Sequence, residues 1–196
     1  MTEPIERAFD LVDGINGADP FRLVVDGVSH PKELIHGQMA TAWLVRLAPE
    51  ASLALRLAAR AHHIRRWAIL RSEYPEGRHG YLRWRTALHA VHAAEAMAVA
   101  AEAGLGAETG ARAAELVAKR AQAGDAEAQL LEDVLCLVFL ETQFGDLAGR
   151  LRPGALPGVV QKTWAKMSAR AREVALTLNL SESDRRLIRD ALAPVP

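Results

Sequence analysis

One cysteine, Cys136, is all that 196 residues provide, so no intrachain disulfide can form. It stands in an apolar run, where a free thiol behaves as a small hydrophobe. Net charge is missing as well: Lys+Arg and Asp+Glu both number 24. A broad nucleic-acid surface would show as a basic excess, so only a small local basic pocket is left open. Long apolar runs are absent too. The stretch Val134–Leu140 is far too short to span a bilayer, and Met1-Thr2-Glu3-Pro4-Ile5-Glu6-Arg7 is charged and lacks an apolar signal core. The expected location is the cytoplasm. Strand signals are scarce: Arg22-Leu23-Val24-Val25, Asp26-Gly27 and Val28 give one small hairpin, since Asp-Gly suits a tight turn with positive φ.

The remaining sequence is helical in period. Half of the residues are hydrophobic and 24% are charged, the ordinary globular balance, and the length predicts one domain over residues 1–196. Ile5, Phe9, Leu11 and Val12 predict a first short helix that ends at Gly14 and Gly17. Leu34, Ile35, Met39, Ala42, Trp43 and Leu47 keep a 3.6-residue period from Lys32 to about Leu47, and Pro49 ends it. A helix from Ala51 to about Ile69 follows, then a loop over Arg71–Gly80, placed to close over whatever lies beside it. Helices are predicted from Tyr81 to about Ala103 and, as Ala-rich scaffold, from Glu108 to Gln122. Ala126–Phe144 is the most apolar and should be central. A Gly- and Pro-rich linker, Gly145–Pro157, leads to a helix over Val159–Leu178. Ser181 with Asp184 then caps a last short helix. The expected fold is all-α: a single-domain helical bundle with at most one small β-hairpin near the N-terminus.

Chemistry concentrates in Ala58-Ala59-Arg60-Ala61-His62-His63-Ile64-Arg65-Arg66-Trp67. Two adjacent imidazoles follow small side chains that leave space beside them. Arg65 and Arg66 come one helical turn later, which puts two anion-binding forks beside two metal-ligand types. The bland alternative is one core histidine and a solvated basic edge, and Arg56 and Arg60 share the side of His63. His36 borders the apolar face of its helix. Tyr81, Arg85, His89 and His92 share one face of theirs. His30 and His79 fall in loops, where a solvated role is the default. Asp133 lies in the most apolar helix, where a carboxylate is costly unless paired or metal-bound. Glu132 and Glu141 flank the same run; either is a candidate general base, with an outward or salt-bridged role as the alternative.

His36, the pair His62-His63, His92 and Asp133 follow an order that resembles the HD-domain superfamily of helical metal-dependent phosphohydrolases. There a His, a His-Asp pair and a distant Asp bind the metal. Here the pair is His-His, and the resemblance therefore implies one ion rather than two. Ala59–Trp67, Gly80-Tyr81-Leu82-Arg83-Trp84-Arg85, Leu131–Val138 and Lys162–Ser168 resemble the family known as domain of unknown function 4202, over most of the chain. That likeness implies a helical domain and no particular activity.

Imidazoles with one carboxylate suit a divalent transition ion (Fe, Mn, Co, Ni or Zn) better than Mg²⁺ or Ca²⁺. The leading expectation is an HD-like metal-dependent hydrolase of a phosphorylated small molecule, a nucleotide among the candidates. Its metal ligands would come from His36, His62, His63, His92 and Asp133. His63 or Glu132 would act as base, and Arg65, Arg66, Tyr81 and Arg85 would hold the substrate. A non-haem iron oxygenase on the same scaffold and a non-enzymatic helical ligand-binding module stand beside it. The oligomeric state is left open.

Overall fold

The computed structural model of the chain describes residues 3–145, 147 and 156–193. Among these, the order of elements is α1 (Pro4–Asn16), β1 (Arg22–Val25), β2 (Val28–Pro31), α2 (Lys32–Leu47) and α3 (Leu53–Ala61). Two 3-10 turns, Arg66–Ala68 and Arg71–Glu73, lead to α4 (Gly77–Ala103) and α5 (Ala107–Val117). Then come α6 (Ala126–Thr142), α7 (Leu156–Lys166), α8 (Ala169–Ala175) and α9 (Glu182–Leu192). The fold is mainly helical, with the one expected hairpin: β1 and β2 pair antiparallel with Val25 opposite Val28, and Asp26 and Gly27 turn at φ 49° and 78°. No described helix is long and apolar enough to cross a membrane. The chain divides into two compact units, Met1–Leu131 and Glu132–Pro196.

In the first unit α3 packs against α1, α2, α4 and α5. It does so because its alanines are small: Ala54, Ala58, Ala59 and Ala61 are buried together with Leu55 and Leu57. Ser52 caps its start by accepting from Leu55 N at 3.1 Å. Helix α2 approaches α3 closely because Gly37 has no side chain; a Cβ there would stand 2.5 Å from the Arg60 carbonyl oxygen. Arg60 in turn grips Asp13 of α1 through Nε at 2.7 Å and a second, parallel bond to the other carboxylate oxygen.

Several boundaries differ from the helical period. The helix carrying the histidine pair stops at Ala61, with His62 as its C-cap, rather than running to Ile69. The backbone leaves because side chains offer its groups other partners. Asn16 Oδ1 accepts from Arg65 N at 3.3 Å, and Arg65 sits in the left-handed region at φ 53°. Part of the expected loop is helical: α4 starts at Gly77, so His79 and Gly80 belong to it. Helix α5 ends at Val117, two residues before Lys119 takes φ 55°.

The second unit buries Val134, Leu137 and Phe144 of the chain around α6 with Val160, Met167 and Ala171. The helix expected over Val159–Leu178 is two helices, because Ser168 takes an extended conformation and caps α8, its Oγ accepting from Ala171 N at 3.2 Å. Ser181 caps α9 as its sequence suggests, accepting from Asp184 N at 3.0 Å. Of the expected linker Gly145–Pro157, residues 146 and 148–155 lie outside the described residues, and Leu156 and Pro157 open α7.

Candidate metal centre

The first turn of α2 is fixed by side chains from upstream. Asp19, itself buried, accepts from Phe21 N and from Glu33 N, each at 2.9 Å, and Lys32 N donates to Phe21 O at 2.9 Å. These bonds satisfy N–H groups that a helix start leaves without an intrahelical partner. Asn16 Nδ2 donates to the Glu33 carbonyl at 3.3 Å while its Oδ1 holds Arg65 N. One buried amide therefore ties the start of α2 to the turn after α3. Glu33 and His36, three residues apart, share one face of α2.

The Glu33 carboxylate is the hub of what results. Its Oε2 accepts from His36 Nδ1 at 3.2 Å and from His63 Nδ1 at 3.0 Å, and its Oε1 lies 3.8 Å from Arg66 Nε. Ligand atoms of Glu33, His36 and His63 all lie within 4.8 Å of one another, the spacing of a metal-binding group. Two more imidazoles adjoin it. The His62 ring lies 4.2 Å from that of His63, and the His92 ring 5.9 Å from it. Both are pinned by backbone carbonyls: His62 Nδ1 donates to Ala59 O at 2.9 Å and His92 Nδ1 to Ile64 O at 2.7 Å. This fixes the tautomer with the lone pair on Nε2. In His92 that Nε2 is buried and has no partner among the described residues.

Charge follows from this geometry. Burial pushes the Glu33 carboxyl up, but His63 and His36 more than offset it and hold the group well below its ordinary range. Glu33 is thus an anion and accepts from both rings. Burial lowers His62 well below its ordinary value, with His63 adding to the effect. Burial likewise lowers His92 to about 4, against the Ile64 carbonyl. Burial lowers His63 as well, and Glu33 pulls the other way; with 32% of that side chain exposed, water screens both effects. At neutral pH the His62 and His92 rings are neutral.

A cavity of about 240 Å³ opens beside Glu33, lined also by Asp19, Phe21, Lys32, Arg66, Arg71 and a wall of Trp67, Ile69, Leu70 and Trp84. Trp84 is anchored by Nε1 donating to Ile69 O at 2.9 Å, and the Arg66 guanidinium lies 4.8 Å over its ring.

Of the residues singled out in the sequence, His36, His62, His63, His92 and Arg66 come together here. Arg65, Tyr81, Glu132 and Asp133 each have partners of their own. Arg65 pairs with Glu95 at 3.0 Å, half of its side chain in solvent. Tyr81 is exposed, stacks at a tilt 5.9 Å from Trp84 and has Arg85 over its ring at 5.9 Å. Asp133, in the second unit, accepts from Ser168 N at 2.7 Å and from Ser168 Oγ at 2.6 Å. Glu132 lies 3.9 Å from Lys166 Nζ. Glu33, Asn16, Asp19 and Lys32 were not singled out. Glu33 had a signal: Glu33-Leu34-Ile35-His36 is a Glu-x-x-His step, which puts carboxylate and imidazole on one helix face, as in carboxylate-bridged metal bundles. Asn16 and Asp19 act through the backbone groups they meet, which no local pattern announces.

The family profile described as domain of unknown function (DUF4202) matches residues 6–188. No curated protein and no solved structure matches the chain.

Proposed function

The chain belongs to the DUF4202 family, and from its own residues we propose that it is a metal-dependent hydrolase of a phosphorylated small molecule. One observation carries the reading. Glu33 gathers two histidines on one carboxylate oxygen and faces Arg66 with the other, on the wall of a cavity lined by cations and aromatic rings. Two imidazoles and a carboxylate suit Mn²⁺, Fe²⁺, Co²⁺, Ni²⁺ or Zn²⁺. Such an ion acidifies a water and polarises a phosphoryl oxygen. Glu33, His36 and His63 would hold it, each imidazole as a neutral ring that keeps its one proton on the nitrogen turned away from the ion. His92 supplies an unprotonated Nε2 beside His63 as proton acceptor, and Arg66 holds a phosphate by its fork.

The test is metal analysis of protein purified without a histidine tag, followed by a panel of phosphomonoesters assayed with each ion. The expected result is about one transition ion per chain and ion-dependent phosphate release. Protein that binds none of the five ions overturns the proposal.

A second reading has its own support: two histidines and one carboxylate are also the donor set of non-haem iron oxygenases. Oxygen consumption by the Fe²⁺ form, with no phosphate released from any ester, would favour it.

A further inference from the structure

We propose that the cavity beside Glu33 binds a small phosphomonoester carried on a single flat ring system, its phosphate taken by Lys32 and Arg66 and its ring by Phe21 and Trp67. This names the substrate class of the site above and rests on that reading for turnover, but not for binding. The volume, about 240 Å³, lies below the usual range for drug-sized ligands, roughly 300–1,000 Å³, and suits one ring with one phosphate rather than a triphosphate.

The donors available to an anion narrow the choice. Backbone N–H groups at the start of α2 are spent on Asp19 and on the Phe21 carbonyl, so the helix start offers little. Arg71 is partly committed and held toward the following loop, donating to Tyr74 O at 2.8 Å and to Pro75 O at 3.0 Å. Lys32 is different: its ammonium has no hydrogen bond or ion pair with any of the described residues. Arg66 is held from two sides, by the Trp84 face and by Glu33 at 3.8 Å, which leaves most of its five N–H donors unused. A phosphate between an ammonium and a guanidinium satisfies both.

The apolar wall specifies the rest of the ligand. Phe21 is 52% exposed at the rim and makes no ring contact with any described residue. With Trp67, Ile69 and Leu70 it presents aromatic and aliphatic surface that a bare anion would leave wet. A neutral ring would leave Lys32 uncompensated and most N–H donors of Arg66 unused. Only a ligand with both parts uses the whole wall. Glu33 repels the phosphate until its charge is neutralised, so a cation bound at Glu33, His36 and His63 strengthens anion binding, and the anion strengthens cation binding equally.

Phenylphosphonate tests this, because its P–C bond is not hydrolysed. It is titrated into the chelator-treated full chain and again with Mn²⁺ or Zn²⁺ added, read by calorimetry and tryptophan fluorescence. Inorganic phosphate, benzyl alcohol and ATP serve as comparisons. Phenylphosphonate should bind at least about tenfold more tightly than each of the three, and more tightly still with the ion present. Lys32→Ala and Arg66→Gln should each weaken it at least about fivefold, and Phe21→Ala should weaken it while leaving inorganic phosphate unaffected. Lys32 is partly exposed and Phe21 exposed, so these two variants keep the fold. Equal binding of phenylphosphonate and inorganic phosphate, or unchanged affinity in both cation variants, overturns the proposal. Phosphonate binding in a protein that hydrolyses nothing with any ion would sink the hydrolase and leave this site standing.

Discussion

His63 donates from Nδ1 to Glu33 Oε2 at 3.0 Å, across thirty residues of sequence. The bond joins the first turn of α2 to the turn that follows α3. Had α3 run on past His63, the direction of that ring would be set by the helix. The left-handed backbone at Arg65, held by Asn16, sets the path of the turn that carries the ring. The same turn sends Arg65 toward Glu95 and Arg66 toward Glu33 and Trp84. Two adjacent arginines thereby take separate tasks.

Glu33→Gln keeps the shape of the hub and removes its charge. Bound metal, measured by elemental analysis, should fall to background in this variant. Unfolding free energy at pH 7 should drop by about 1–3 kcal/mol, because two rings lose an ionised acceptor in a buried setting. Full metal occupancy in Glu33→Gln would take Glu33 out of the ligand set.

Gly37→Ala tests the α2–α3 approach. Its Cβ would meet the Arg60 carbonyl oxygen at 2.5 Å, which is backbone and cannot swing aside. Overpacking of this kind costs about 1–3 kcal/mol. Because α2 carries Glu33 and His36 while the chain after α3 carries His63, the variant should also bind metal more weakly. Thermal melting and metal titration of the same sample would read both effects.

Acid should destabilise the metal-free protein. The folded state holds His92 near 4 against an ordinary value of 6.5, and His62 is lowered in the same direction. Between those values the unfolded chain takes up protons that the folded chain refuses. The stability is therefore full above about pH 6.5 and is lost as pH falls toward 4. Glu33 adds a second loss below its ordinary 4.5, as pH falls through its depressed folded-state value. Melting temperatures measured from about pH 7.5 to 4.5 should fall, and His92→Gln should flatten the upper part of that slope. A melting temperature independent of pH across this window would contradict a buried neutral His92.

Asp133→Asn separates a structural carboxylate from a ligand. Asp133 accepts two hydrogen bonds from Ser168, the residue that caps α8. The amide keeps at most part of this, so the variant should lose about 1–3 kcal/mol of stability and retain its metal. Ser168→Ala should cost about 1 kcal/mol through the lost cap, again with metal retained. Loss of the ion in Asp133→Asn, with helical content intact, would make Asp133 a ligand.

The periodic features were readable in the sequence because they are local. Asp26-Gly27 fixed a hairpin, Ser181 capped a helix, and the spacing of Leu34, Ile35, Trp43 and Leu47 marked α2. A histidine near an apolar face at His36 or His92 was also visible, since burial follows from the period of its neighbours. Boundaries were misplaced where a side chain captured backbone groups. Asp133 on Ser168 is the clearest case, splitting what the period presents as one helix into α7 and α8.

The sequence by itself thus determined the helical class, the single hairpin and which imidazoles would be buried, since all three depend on neighbours within a few residues. Tertiary structure alone decided which carboxylate meets them. Asp133, which the apolarity of its helix singles out, accepts two hydrogen bonds from Ser168. Glu33 lies in the first turn of an ordinary amphipathic helix, where an acidic residue already has a reason to be. Its second role arises only because Asp19, Asn16 and Gly37 set α2 against the turn that carries His63, through contacts that span up to forty-nine residues.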